Sequence, residues 1–138
     1  MKLKKIFGIG SALLLMMFSQ FSLAAGGSYA SSVVLPTLYS KNFLETVNVP
    51  ILGSPPATGR INNVSWTWNV AGWPQNLSVY LCQGDTSSCI DVSRTRRMST
   101  AAFNNRSPAQ PFLFALSVGN GNVMPIAGQA AQVIVNWE

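Results

Sequence analysis

The chain contains no histidine in 138 residues. That removes the Ser-His-Asp and Cys-His arrangements of nucleophilic catalysis and the commonest metal ligand. Acidic side chains are scarce as well: Glu45, Asp85, Asp91 and Glu138 are the full set. A carboxylate pair for glycoside hydrolysis would have to come from these four. Asp85 stands in a turn sequence, Asp91 falls on the exposed side of a hairpin leg, and Glu138 is the last residue. Past the first five residues Lys41 is the only lysine, and nothing around it resembles a nucleophile. A working acid or base needs a partner that tunes it. The chain is therefore expected not to be an enzyme, to use no cofactor and to bind no metal. Helical periodicity longer than about two turns, internal repeats and low-complexity stretches are absent too.

What is present begins with an export pattern. Lys2, Lys4 and Lys5 precede an apolar run over residues 6–18, and the small-residue pattern Ser22-Leu23-Ala24 follows. Charge, apolar run and small residues in that order define a secretory signal peptide over residues 1–24, cut after Ala24. The run falls short of the roughly 20 residues of a membrane span. No later segment matches it, so contact with a membrane is expected to be peripheral at most. The remaining residues 25–138 suffice for one domain with one core. The formal charge of +5 includes the three leader lysines, so the exported part carries only +2. Nucleic acid is not an expected partner.

Cys82 and Cys89 are the two cysteines. An exported chain with an even cysteine number oxidises them. The six-residue gap suits neither a redox Cys-x-x-Cys nor a metal knuckle, and no histidine stands ready to complete a site. A structural disulfide closing a short loop is expected, contributing about 2.5 kcal/mol on chain-entropy arithmetic.

The pattern along the chain is β. Residues 25–32 are small and polar and read as a mobile arm. Val33, Val34 and Leu35 lead into Pro36 as an edge strand. Val47, Val49 and Ile51 alternate with polar or proline positions. The clearest signal is Val64, Trp66, Trp68 and Val70 separated by Ser65, Thr67 and Asn69, which places four apolar side chains on one face. Leu77, Val79 and Leu81 restart the alternation, with Ser78, Tyr80 and Cys82 opposite. Turn residues 83–88 then lead into a return strand from Cys89 to Val92. Phe112, Phe114, Leu116 and Val118, then Val133, Val135 and Trp137, complete the set. Six or seven short strands separated by turn signals predict an all-β fold, an antiparallel β-sandwich or small barrel, with one hairpin disulfide.

Two groups of side chains qualify for contact with a partner. Trp66 and Trp68 share an apolar face and belong to the core, whereas Trp73 lies in a loop beside Pro74 and is the candidate exposed anchor. Arg94-Thr95-Arg96-Arg97 is the only basic cluster after the leader. Arg94, Arg96 and Arg97 are expected to be solvated and able to steer an acidic partner. Asn-x-Ser triplets at Asn63, Asn76 and Asn105 carry no functional information in a polar β chain.

Several runs resemble one family. Leu77-Ser78-Val79-Tyr80-Leu81-Cys82 with Cys89, then Ala102-Phe103, Pro108, Pro111-Phe112-Leu113-Phe114, the turn at Gly119 and Gly121, Pro125, and the closing Gln132-Val133-Ile134-Val135-Asn136-Trp137 resemble FlhE, small exported proteins of bacterial flagellar operons. The likeness spans about residues 60–137. The chain departs from that pattern in ending on acidic Glu138 and in the basicity of residues 94–97. The resemblance implies a periplasmic flagellar accessory protein without catalytic residues. Its partners would be the flagellar type III export apparatus or periplasmic flagellar proteins, where it limits proton leakage through the export gate or acts as a chaperone. Tryptophans, sandwich pattern and disulfide leave two other classes open: a carbohydrate-binding or adhesin- or pilin-like module, and a secreted inhibitor using the tied loop 83–88.

Overall fold

The structure is a computed structural model that describes residues 26–138. The leader and its cleavage point lie outside the described residues. Eight strands follow one another: β1 (Gly27–Val34), β2 (Glu45–Val49), β3 (Ile61–Thr67), β4 (Leu77–Gln83), β5 (Cys89–Asp91), β6 (Arg97–Thr100), β7 (Phe112–Val118) and β8 (Ala130–Trp137). They form two four-stranded antiparallel sheets, in the orders β1-β8-β3-β6 and β2-β7-β4-β5. One core fills the space between them, so the all-β expectation resolves as a sandwich.

Period-two alternation builds that core. Val64 and Trp66 of β3 and Ala131, Val133 and Val135 of β8 point inward from one sheet. Phe112, Phe114, Leu116 and Val118 of β7, with Val79 and Leu81 of β4, point inward from the other. A register shift between Ile61 and Asn63 places one extra residue in β3, so Ile61 and Val64 are both buried despite their odd spacing. β3 ends at Thr67, one residue short of Trp68. Trp68 and Val70 are still buried, and Val70 forms an isolated bridge to Gly128.

Two expectations are corrected. Residues 27–32 are no mobile arm: β1 pairs with β8 along its whole length, from Gly27↔Trp137 to Val34↔Ala130. The inward positions of β1 include Tyr29 and Ser31, and a small polar residue at a buried site hides the alternation that would announce a strand. The Tyr29 hydroxyl has no hydrogen-bond partner among the described residues, and burial pushes its pKa up to about 12. The second correction is to the set of strands, which on sequence grounds holds none over residues 97–100, where β6 lies. Residues 97–100 are held by backbone pairing with β3, from Thr67↔Arg97 to Val64↔Thr100, a mechanism that needs no apolar pattern.

The disulfide joins Cys82 to Cys89, directly opposed residues of the β4–β5 hairpin. On that outer face Cys82, Leu113 and Ala115 are buried together, with Tyr80 and Cys89 packed against them. The second sheet thus carries a small apolar cluster on the side away from the core.

The antiparallel order sends the connections to two ends. Segments 35–44, 68–76, 92–96 and 119–129 gather at one. Segments 50–60, 84–88 and 101–111 gather at the other, with Gly26 and Glu138.

Candidate functional site

Trp73 sits on the connection between β3 and β4 and is 83% exposed. Its position is fixed from below. The Arg96 guanidinium lies 3.8 Å from the centroid of the Trp73 ring and 4.8 Å from that of Trp68. Arg96 donates to Asn69 Oδ1 at 2.8 Å and to the Gly72 carbonyl at 2.9 Å. Partial burial draws its pKa below the ordinary value, although a guanidinium stays charged at neutral pH.

The core tryptophans hold the segment that carries Arg96. Trp66 Nε1 donates to the Thr95 carbonyl at 2.8 Å and Trp68 Nε1 to the Val92 carbonyl at 2.9 Å. The Trp68 amide donates to the Arg96 carbonyl at 2.9 Å. Alternation along β3 therefore does two things at once. It buries two indoles, and it uses their N–H groups to pin residues 92–96 so that Arg96 reaches under Trp73.

Neighbouring connections brace the loop. The Gln75 amide donates to Asn122 Oδ1, Asn122 Nδ2 to the Gln75 carbonyl, and Asn76 Nδ2 to the Asn120 carbonyl. Asn76 has φ 55°, a left-handed conformation that asparagine tolerates better than most residues. Asn42 and Asn105 share this backbone state, which explains two of the three Asn-x-Ser triplets without any modification. Between Trp73 and the 91% exposed Val123 runs a shallow cavity of about 250 Å³, with Pro74, Pro125 and Ile126 on its walls.

The basic run is therefore not one surface. Arg94 is exposed at the tip of its turn, and Arg96 is half-buried under Trp73. Arg97 belongs to β6 and lines a separate cavity of about 520 Å³ on the outer face of the first sheet, with Ser65, Thr67, Ser99, Gln132 and Ile134. Trp73 stands exposed, where the sequence reading puts it. Arg96 and Trp73 meet, whereas Arg97 faces elsewhere. Sequence reasoning missed Tyr39, Phe43 and Val123, all exposed and all on connections of the same end as Trp73. Their only signal is a short apolar pair set among turn residues: Leu38-Tyr39, Phe43-Leu44 and Val123-Met124.

The acids are dispersed. Asp91 accepts hydrogen bonds from the Ser93 hydroxyl and amide, which hold its carboxyl below the usual range. Asp85 is held the same way by Ser87 at the other end of the molecule. Both carboxylates are turn caps.

Fold and site together define a small two-sheet sandwich that presents an arginine-backed tryptophan at one end. The chain belongs to the FlhE family: the family model for flagellar protein FlhE matches residues 38–138. A crystal structure of FLHE superposes with a TM-score of 0.71 at 23% identity, over 83% of this chain and 98% of that one. A serine protease of Aeromonas sobria, alone and in complex with the chaperone ORF2, gives TM-scores of 0.63 at 10% and 11% identity. There 83% of this chain covers 27% of the protease, so the likeness is one of fold. No curated protein matches the chain by sequence.

Proposed function

We propose that the chain is an exported, periplasmic flagellar accessory protein that acts by docking. Its partner is the flagellar export apparatus or a periplasmic flagellar component, and the outcome is restraint of proton leakage through the export gate or chaperoning of flagellar parts. Membership of a flagellar protein family carries this reading. The chemistry of the chain agrees with it: without histidine, and with two of four acids committed to capping turns, it is suited to contact.

Trp73 is the proposed anchor. Tryptophan and arginine are the residue types that dominate binding energy at interfaces, and a ring already held in place loses little entropy on docking. The test is a deletion strain complemented with wild-type protein or with Trp73→Ala. Deletion is expected to alter flagellar assembly, motility or proton leakage, and wild-type protein to restore it. Trp73→Ala, secreted and folded at wild-type level, is expected not to. Normal motility and normal pH homeostasis in the deletion strain would overturn the flagellar reading. Specific retention on a glycan array in the same circumstances would establish the carbohydrate-binding alternative.

A further inference from the structure

Apolar exposure is concentrated at one end of the sandwich. Of eight exposed large hydrophobic residues among those described, Val34, Tyr39, Phe43, Leu44, Trp73 and Val123 lie there, Met98 lies on β6, and only Leu52 lies on the opposite loops. Charge follows the same division. Lys41, Arg94 and Arg96 belong to the first end, with Glu45 half-buried and Asp91 tied to Ser93. The other end balances Arg60 and Arg106 against Asp85 and Glu138. We propose that the first end seats on the surface of an anionic lipid bilayer, with Tyr39, Phe43, Trp73 and Val123 entering the headgroup layer and Lys41 and Arg94 facing lipid phosphates.

Three observations favour a bilayer over a protein surface. The four apolar side chains come from three separate connections and stand out singly, from 57% exposed at Phe43 to 91% at Val123. A protein hot spot packs its anchors into fitted pockets, and the cavity beside Trp73 is shallow. A headgroup layer accepts separate protrusions, and tryptophan and tyrosine are the side chains that settle at a membrane interface. The charge is complementary, because cations near an anionic leaflet attract it over about a Debye length. The loops are also braced. Asn42 N donates to the Val118 carbonyl, Gly119 N to the Asn76 carbonyl and Ala71 N to the Ala127 carbonyl, so the tips meet the surface as one body. This inference rests on the reading of Trp73 as a contact residue and is independent of the flagellar assignment.

Protein purified from the periplasmic fraction is mixed with vesicles of phosphatidylethanolamine and phosphatidylglycerol. Trp66 and Trp68 are buried and Trp137 is half-buried, so the change in indole emission reports Trp73. The expected result is cosedimentation, a blue shift, and quenching by lipids brominated in the acyl chain. Binding should fall with salt and on pure phosphatidylcholine. Trp73→Ser should weaken it ~10-fold, as expected for losing a partly buried aromatic. Arg94→Glu should weaken it several-fold, and Arg60→Glu should leave it unchanged. The proposal is overturned by absence of binding to anionic vesicles at low salt. It is also overturned by binding that Trp73→Ser and Val123→Ser leave intact, or that Arg60→Glu weakens as much as Arg94→Glu. Capture of a soluble protein through Trp73 without vesicle binding overturns it as well, while leaving the proposed function standing. Vesicle binding through Trp73 in a protein whose deletion has no flagellar phenotype upholds it and removes the flagellar reading instead.

Discussion

The two ends of the sandwich are built from equally short connections, yet they spend their side chains differently. At the end that holds Gly26 and Glu138, the connections turn inward. Phe103 is buried and meets Phe112 edge-on, with centroids 5.1 Å apart. Buried Gln83 donates to the carbonyls of Ser107 and Gln110, and Gly84 N to that of Pro111, which staples the 101–111 connection to β4. The disulfide closes the neighbouring hairpin. At the opposite end the polar groups bond one loop to another while Tyr39, Phe43, Trp73 and Val123 are left outside. A sandwich needs its connections satisfied at both ends. Only one end also leaves large apolar area in water, and stability gives no reason for that.

The sharpest break of this contrast is Phe103→Ala. It removes a fully buried ring from the closed end, and such truncations cost about 3–5 kcal/mol. Urea denaturation should show that loss, while the folded fraction keeps its docking behaviour. A loss under 1 kcal/mol, or selective loss of docking at unchanged stability, would erase the distinction between a structural and a presenting end.

The disulfide comes next. Replacing both Cys82 and Cys89 with Ala should lower stability by about 2–3 kcal/mol, from loop entropy and from the packing of Cys82 against Leu113 and Ala115. Thiol titration of unfolded, unreduced wild-type protein should find no free thiol. Docking should survive the double replacement, because the hairpin tip at 84–88 lies at the other end from Trp73. Loss of docking with the disulfide would favour the inhibitor-loop reading and reverse the assignment of the two ends.

Strands with a free apolar face were legible in the sequence. Val64–Trp66, Leu77–Leu81, 112–118 and 133–137 all show period two, and each lies in a strand with the expected face inward. The two edge strands of the first sheet were not. β1 hides behind Ser31 and Ala30, and β6 is ordered by backbone pairing alone. The site was half legible. Trp73 beside Pro74 in a turn announces an exposed ring. That Arg96 separates from Arg94 and Arg97 follows from a register between β3 and the 92–96 turn, which no local pattern encodes. The apolar cluster on the outer face of the second sheet was not legible, because it depends on the pairing of Cys82 with Leu113 across β4 and β7.

The smallest effect tests the joint between the two uses of tryptophan. If Arg96 serves Trp73 rather than a partner, the two should be coupled in stability. The guanidinium lies against the Trp73 ring at 3.8 Å and bonds Gly72 in the same loop, so removing either partner releases the other. A double-mutant cycle of Arg96→Ala and Trp73→Ala should give a coupling of about 0.5–1 kcal/mol, the range for a cation over an exposed aromatic face. Arg94→Glu, on an exposed side chain, should change stability by less than about 0.5 kcal/mol and show no coupling to Trp73. Arg96→Lys should recover only part of the loss, because an ammonium cannot lie flat between two indoles while reaching Asn69 Oδ1 and the Gly72 carbonyl together. A coupling indistinguishable from zero would mean that Trp73 stands without Arg96. The basic run would then be an ordinary solvated surface, as the sequence alone suggests, and the rigid presentation of the open end would rest only on the Gln75–Asn122 and Asn76–Asn120 bonds.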